Sequence, residues 1–355
     1  MSVKSLPELV TLEQLIEDGG DLLKASVACT VAADSQQFPV YLLTMGSSDP
    51  AAPALGFFGG IHGLERIGTQ VLLSFLQSLV ARSRWDHGLH HLLESVRLVF
   101  MPLVNPGGMW QATRCNPQGV DLMRNSPVQA SERVPFLLGG QRATPMLPWY
   151  RGAFGAPMEA ESRAVCEAVE RELLPRQFSL SLDCHSGFGL RDRIWFPHAH
   201  TRTPIAHLPE IAALEELFTA SYPHHNYTFE PQSLQYRTHG DLWDHLYLRF
   251  ERGGERGGER GGEAEGHDRV FLPLTLEMGS WLWVKKNPRQ LFSRLGAFNP
   301  TAAHRLQRVL RSHLVWFEFL MRAANAHARW LPDAPERLHQ RKRALARWYG
   351  LGAPA

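Results

Sequence analysis

The sequence predicts an α/β fold, a single domain with a mostly parallel mixed sheet covered by helices on both faces. Three observations carry this. Short apolar, β-rich runs alternate with helical patterns along the chain, the order that builds a parallel sheet. Several of the runs, Ala54–Phe58 among them, are apolar on both faces, as strands buried between helix layers are. The 355 residues, 44% hydrophobic and 20% charged, are enough for a large core that needs no disulfide to hold it.

From the N-terminus, residues 1–25 are expected as an arm. They are acidic and lack the continuous apolar run of a signal peptide. The domain is expected over 26–330. Its strands are Val27–Val31, Val40–Thr44, Ala54–Phe58, Val96–Leu103, Phe178–Asp183, Ile194–Phe196 and Val270–Glu277, and its helices are Ile67–Ala81, Glu159–Leu174, Leu208–Ser221 and Thr301–Ala326. Residues 251–262 read ERGG three times. Six glycines with alternating charge form no core, which predicts a solvated, mobile loop over 251–266. Residues 331–355, rich in Pro, Arg and Ala, are expected as a surface tail with a short helix at Pro335–Trp348.

Lys and Arg number 37 against 35 Asp and Glu, a formal charge of +2. That balance argues against charge-driven binding of nucleic acid or membrane as the main activity, so neither is expected as a partner. Four scattered cysteines with no Cys-x-x-Cys argue against a thiolate zinc site and fit a reducing compartment. No run of 18 apolar residues predicts a transmembrane helix. The location expected is the cytoplasm, and oligomeric state leaves no trace in the sequence. The 17 histidines point to metal chemistry.

A catalytic zinc needs neutral imidazole and carboxylate ligands and one open position. His-x-x-Glu occurs three times, at His62/Glu65, His91/Glu94 and His207/Glu210. The last two fit solvated pairs within or beside helical patterns. His62 differs, because it follows an apolar strand and two glycines in GFFGGIHGLERIG, at a strand-to-helix junction where α/β sites form. His185 stands just past another strand end, in DCHSG; the competing reading there is a hydrogen-bonded loop histidine. Cys184, pointing the other way by strand alternation, is assigned to the core. Arg114 and Arg124 flank Asp121 in VNPGGMWQATRCNPQGVDLMRN, and arginine suits a carboxylate clamp or carbonyl polarisation. A solvated Asn/Gly/Pro turn is the alternative. Glu277 ends a strongly apolar strand, where a carboxylate is costly unless paired or used at a site.

In this order the segments resemble the zinc carboxypeptidase family of the carboxypeptidase A type, from about Ala54 to about Glu277. The resemblance implies Zn2+ held by His62, Glu65 and His185, with Asp121 orienting His62. It implies that Glu277 is the general base, that Arg114 stabilises the oxyanion and that Arg124 grips the substrate's free carboxylate with Asn125 beside it. In YRTHGDLWDHLY, Tyr236 would close over the substrate. The chain departs from the pattern at Met123, where family members carry Asn before the gripping arginine, and in the ERGG insertion between Asp244 and Glu277.

The leading expectation is therefore a zinc metallocarboxypeptidase or peptide amidase acting on small peptides, imported cell-wall peptides included by analogy with intracellular relatives. The runner-up is a zinc acyl-amino-acid deacylase of the aspartoacylase and succinylglutamate desuccinylase type. A third reading is a non-enzymatic binding module on a peptidase fold; Met123 alone favours it.

Overall fold

The computed structural model describes residues 5–257 and 269–351. Its strands are β1 (Lys24–Ala33), β2 (Gln36–Gly46), β3 (Ala54–Gly59), β4 (Arg97–Met101), β5 (Phe178–Ser186), β6 (Arg193–Phe196), β7 (Thr228–Pro231) and β8 (Val270–Met278). They form one sheet in the order β1-β2-β4-β3-β5-β8-β6-β7. The centre, β4-β3-β5-β8, is parallel throughout, and β1, β2 and β6 join antiparallel. The helices are α1 (Pro7–Gly19), α2 (Arg66–Arg82), α3 (His87–Ser95), α4 (Pro106–Gln111), α5 (Ala160–Glu172), α6 (Leu208–Ser221) and α7 (Leu242–Gly257), followed by α8 (Trp281–Lys286), α9 (Ala303–Ser312), α10 (Leu314–Asn325), α11 (His327–Trp330) and α12 (Ala334–Ala344).

Strand alternation shows why the central runs are apolar throughout. On β3, Phe57 packs against Phe75 of α2 and Phe317 of α10. Its neighbour Phe58 points the other way, against Trp243 of α7. Both faces are thus covered by helices, and every residue of β3, β5 and β8 is buried.

Four features differ from the sequence expectation. The expected arm is largely helix α1, whose Leu9, Leu12 and Leu15 are buried and whose Glu8 accepts from Arg66 of α2. That leucine spacing is an amphipathic stripe. Residues 251–257, expected as loop, continue α7. An apolar stripe from Leu242 to Phe250 anchors that helix, and glycine in a helix costs only about 1 kcal/mol. The rest of the expected loop, 258–266, lies outside the described residues. The helix expected over Thr301–Ala326 divides at His313, which turns inward to pair with the Tyr227 hydroxyl at 2.8 Å. Finally, the helix expected in the tail is α12, and it packs on α6. Arg337 donates to Glu210, and beyond α12 Arg347 donates to Glu215 while Trp348 donates to the Phe229 carbonyl.

Candidate active site

Register assembles the site. In the parallel pair β5–β8, His185 lies directly beside Glu277, and in β3–β5, Phe58 lies beside Asp183. The carboxyl ends of β3, β5 and β8 therefore open at one edge, where α/β sheets place their sites. The chain leaves β3 through Gly60, whose φ of +64° favours glycine and where a Cβ would come within 2.5 Å of Thr69 Oγ1. That tight exit carries His62 and Glu65 to the start of α2. Gly68 lets the helix approach the Cys184 carbonyl, where a Cβ would stand 2.3 Å away.

His62, Glu65 and His185 are all buried, with ligand atoms within 4.8 Å of one another. His62 Nδ1 stands 2.9 Å from Glu65 Oε1, His185 Nδ1 stands 3.1 Å from Glu65 Oε2, and the two Nδ1 atoms are 3.2 Å apart. The far nitrogens face carboxylates: His62 Nε2 meets Asp121 at 3.1 Å and His185 Nε2 meets Asp183 at 2.7 Å. Ionised carboxylates only accept, so each ring donates its Nε2–H outward. That leaves two imidazole lone pairs and a carboxylate pointing at one another, an arrangement that repels itself unless a cation sits between them. Burial opposes charge on Glu65, yet His62 and His185 hold its carboxyl well below the usual carboxylate range. Burial likewise opposes charge on His185, yet Asp183, and after it Glu65, push the ring's pKa well above the imidazole range.

A small cavity, about 20 Å³, adjoins the cluster. Its walls include both histidines, Arg114, Arg124, Tyr236 and Glu277. Burial, and then the charge of Glu65, push Glu277 up to about 8. Its Oε2 has no hydrogen-bond partner among the described residues. Arg114 donates to Glu65 at 3.0 Å and to Asp121 at 2.9 Å, which keep it a cation against the cost of burial. Arg124 is buried; among the described residues its Nε lacks a partner, and its nearest carboxylate, Asp241, stands 4.0 Å off. A buried guanidinium with an unused donor suits an arriving anion. Tyr236 packs across Phe188 and Trp195, its ring centroid 5.9 Å from each.

The family profile described as zinc carboxypeptidase matches residues 29–252, more than half of the chain. The chain belongs to the zinc carboxypeptidase family. Curated relatives include carboxypeptidase SOL1 of Arabidopsis thaliana, 28% identical over 109 residues, which cover 30% of this chain and 22% of the relative. Carboxypeptidase D of Anas platyrhynchos is 27% identical over 149 residues, covering 39% and 9%. The catalytic chain of carboxypeptidase N from Rattus norvegicus is 27% identical over 182 residues, covering 45% and 38%. In each case the match spans well under two thirds of the relative. Among solved structures, thrombin activatable fibrinolysis inhibitor matches with a TM-score of 0.62 at 17% identity, over 88% of this chain and 72% of that one. Carboxypeptidase A from Helicoverpa armigera matches with a TM-score of 0.61 at 15% identity, over 89% and 72%. At these identities the likeness shows a shared fold.

Two imidazoles and one carboxylate are a donor set of catalytic zinc, so this zinc carboxypeptidase site fits the metal of its family. Zinc would take His62 Nδ1, His185 Nδ1 and the Glu65 carboxylate. The profile match ends before Glu277, whose place in the site rests on strand register and the shared cavity. Asn125, expected beside the substrate, has its side chain engaged within the protein. Its amide donates to the Arg151 carbonyl and its oxygen accepts from Glu159 N, so the side chain holds a loop together. Met123 does line the cavity. The other His-x-x-Glu pairs stay apart from the site. His91 and Glu94 form an exposed pair, and His207 meets the Tyr247 hydroxyl. Cys184 is core.

Sequence reasoning missed Asp183 and the wall residues Trp195, Gln232 and Thr275. Asp183 could have been found. It stands two residues before His185 on the same strand, and alternation puts both on one face. Trp243 Nε1 donates to its Oδ2 at 2.9 Å, fixing it behind the ring.

Proposed function

We propose that this protein hydrolyses the amide bond next to a free carboxylate in small peptides, as a zinc-dependent metallocarboxypeptidase. The observation that carries this is the joining, in one cavity, of the two histidines of the candidate metal cluster, a glutamate whose Oε2 lacks a partner and a buried arginine whose Nε lacks one, both among the described residues. When bound, zinc supplies a Lewis acid that acidifies water and polarises a carbonyl. Glu277, beside His185 across two strands, takes the proton of the attacking water and passes it to the leaving amine. Arg114, anchored by Asp121 and Glu65, faces the oxygen on which charge develops. Arg124 binds the terminal carboxylate, and Tyr236 covers the substrate and excludes water. Met123 brings no amide to that grip, so it rests on the guanidinium. This supports small substrates with an accessible carboxylate, γ-linked peptides among them. The cytoplasmic location remains part of the proposal; four free cysteines, Cys29, Cys115, Cys166 and Cys184, support it.

The test compares the acid and the C-terminal amide of one peptide. A charge-assisted pair is worth about 1.5–3 kcal/mol, so Arg124→Met should lower kcat/KM on the acid by roughly ten- to a hundred-fold. The amide, already poor with wild type, should barely change. Equal cleavage of both forms by wild type sinks the exopeptidase reading. Turnover of N-acyl amino acids alone would favour a deacylase.

A further inference from the structure

Between Met278 and Phe317 the chain has seven Lys and Arg and no Asp or Glu, although its whole formal charge is only +2. Near-neutrality overall thus conceals one basic tract. The fold draws that tract together. Arg305 of α9 donates to the Trp283 carbonyl of α8 at 3.2 Å, and Thr301 donates to Gln290 at 3.2 Å. Lys285, Lys286, Arg289, Arg294, Arg308 and Arg311 are all exposed. None of the six forms an ion pair with another described residue. Interleaved with them are solvent-facing apolar side chains. Phe292 is 94% exposed and Leu291 50%, with Trp281 and Leu282 alongside. Isolated exposed hydrophobics are ordinary, but four within twelve residues, set among unpaired cations, mark an interaction surface.

We propose that this face, from Trp281 to Arg311, docks on an anionic lipid bilayer. Charge and apolar exposure together select the partner. A second copy of the same face would set cation against cation. An acidic peptide or a nucleic acid would neutralise the cations and leave Phe292 and Leu291 in water. An anionic bilayer answers both, with charged headgroups for the lysines and arginines and an interfacial layer for the aromatic and aliphatic side chains. The docked face adjoins the catalytic cavity. Trp281 Nε1 donates to the Gly187 carbonyl at 2.9 Å, two residues past His185. Docking would therefore hold the cavity near the membrane, where membrane-anchored peptides are concentrated. The surface does not depend on which amide bond is cleaved.

The test is co-sedimentation of the full chain with vesicles. One set contains about 30% phosphatidylserine in phosphatidylcholine, and the other is phosphatidylcholine alone, each at about 0.05 M and about 0.5 M salt. Binding is expected to the anionic vesicles at low salt and to weaken at high salt. Each cation removed should lower the partition coefficient about five-fold, so Lys285→Ala, Lys286→Ala and Arg289→Ala combined should lower it on the order of 100-fold. Phe292→Ser should weaken binding without changing its salt dependence. Both variants should keep wild-type melting temperature and wild-type turnover of a soluble peptide. Absence of binding to anionic vesicles overturns the proposal. So does equal binding by wild type and the triple variant, or retention on RNA or polyglutamate with none on vesicles.

Discussion

Asp183→Asn tests whether the carboxylate behind His185 tunes the metal site. Asp183 is fully buried, and its Oδ2 faces both His185 Nε2 at 2.7 Å and Trp243 Nε1 at 2.9 Å, while Oδ1 has no partner among the described residues. An asparagine oxygen in the Oδ2 position keeps both hydrogen bonds, and its amide nitrogen takes the place of the unpaired Oδ1. Shape is preserved and the charge is lost. The imidazole becomes a weaker donor to zinc, and such partners are typically worth about 10- to 100-fold in metal affinity, or about 1.4–2.7 kcal/mol. Competition against a chromogenic chelator at fixed pH reads the zinc affinity directly. The metal-free protein should melt no lower than wild type, because a buried, half-satisfied carboxylate has been removed. A purely structural role would move the melting temperature and leave zinc affinity alone. Zinc affinity within about two-fold of wild type, in a folded variant, would refute the reasoning.

Other expectations follow from neighbouring residues. Glu277→Gln should retain zinc and fold while losing at least about 100-fold in turnover; near-normal activity would remove Glu277 from the mechanism. Leu12→Ala, which empties a site 1% exposed under α1, should cost about 2–5 kcal/mol in thermal or urea unfolding, whereas an unpacked arm would lose nothing. Burial, and then the charge of Asp244, push Asp241 up to about 7, above its unfolded value of 3.8. Folding therefore takes up a proton there, and the resulting stability, full below about pH 4, is lost as the pH rises through 7. Asp241→Asn keeps an oxygen that can accept from Trp243 N and Asp244 N. Its melting temperature relative to wild type should rise between about pH 5 and pH 8.5, and a pH-independent difference would contradict the shift.

The sequence exposed the parallel centre of the fold because those strands are apolar on both faces, a pattern short range in the chain. It exposed the ligand segments because each sits where an apolar run stops at a glycine or a polar residue, as at Gly59-Gly60-Ile61-His62. Features set by contacts between distant segments were not legible in the same way. Strand β7 is four residues long and takes its place only by pairing with β6. Asn125 stands beside Arg124 in sequence, and only the positions of the Arg151 carbonyl and Glu159 N show what its amide binds. Helix α1 was legible in principle, since Leu9, Leu12 and Leu15 form a stripe. The basic tract near Trp281 was likewise in plain view but averaged away in a net charge of +2.

The electrostatics of the site explain why its parts occur together. Glu65, Asp121, Asp183 and Glu277 bring four carboxylates to one buried edge of the sheet, and Arg114 and Arg124 bring two cations. Ionised, they leave two negative charges in a low-dielectric region, a burden that burial makes costly. Glu277 registers it directly, since burial and Glu65 push its carboxyl up to about 8. A divalent cation between His62, Glu65 and His185 cancels that excess and would draw Glu277 back down, leaving it ionised yet still basic near neutral pH. Bound zinc would thus balance the charge of the site and tune the glutamate proposed as its base. Arg124, though counted in that balance, has no carboxylate close to it: the nearest, Asp241, is 4.0 Å away, and its Nε is unpaired among the described residues. A substrate carboxylate would supply the partner that Nε lacks among the described residues, which is the physical reason for proposing a substrate with a free carboxylate.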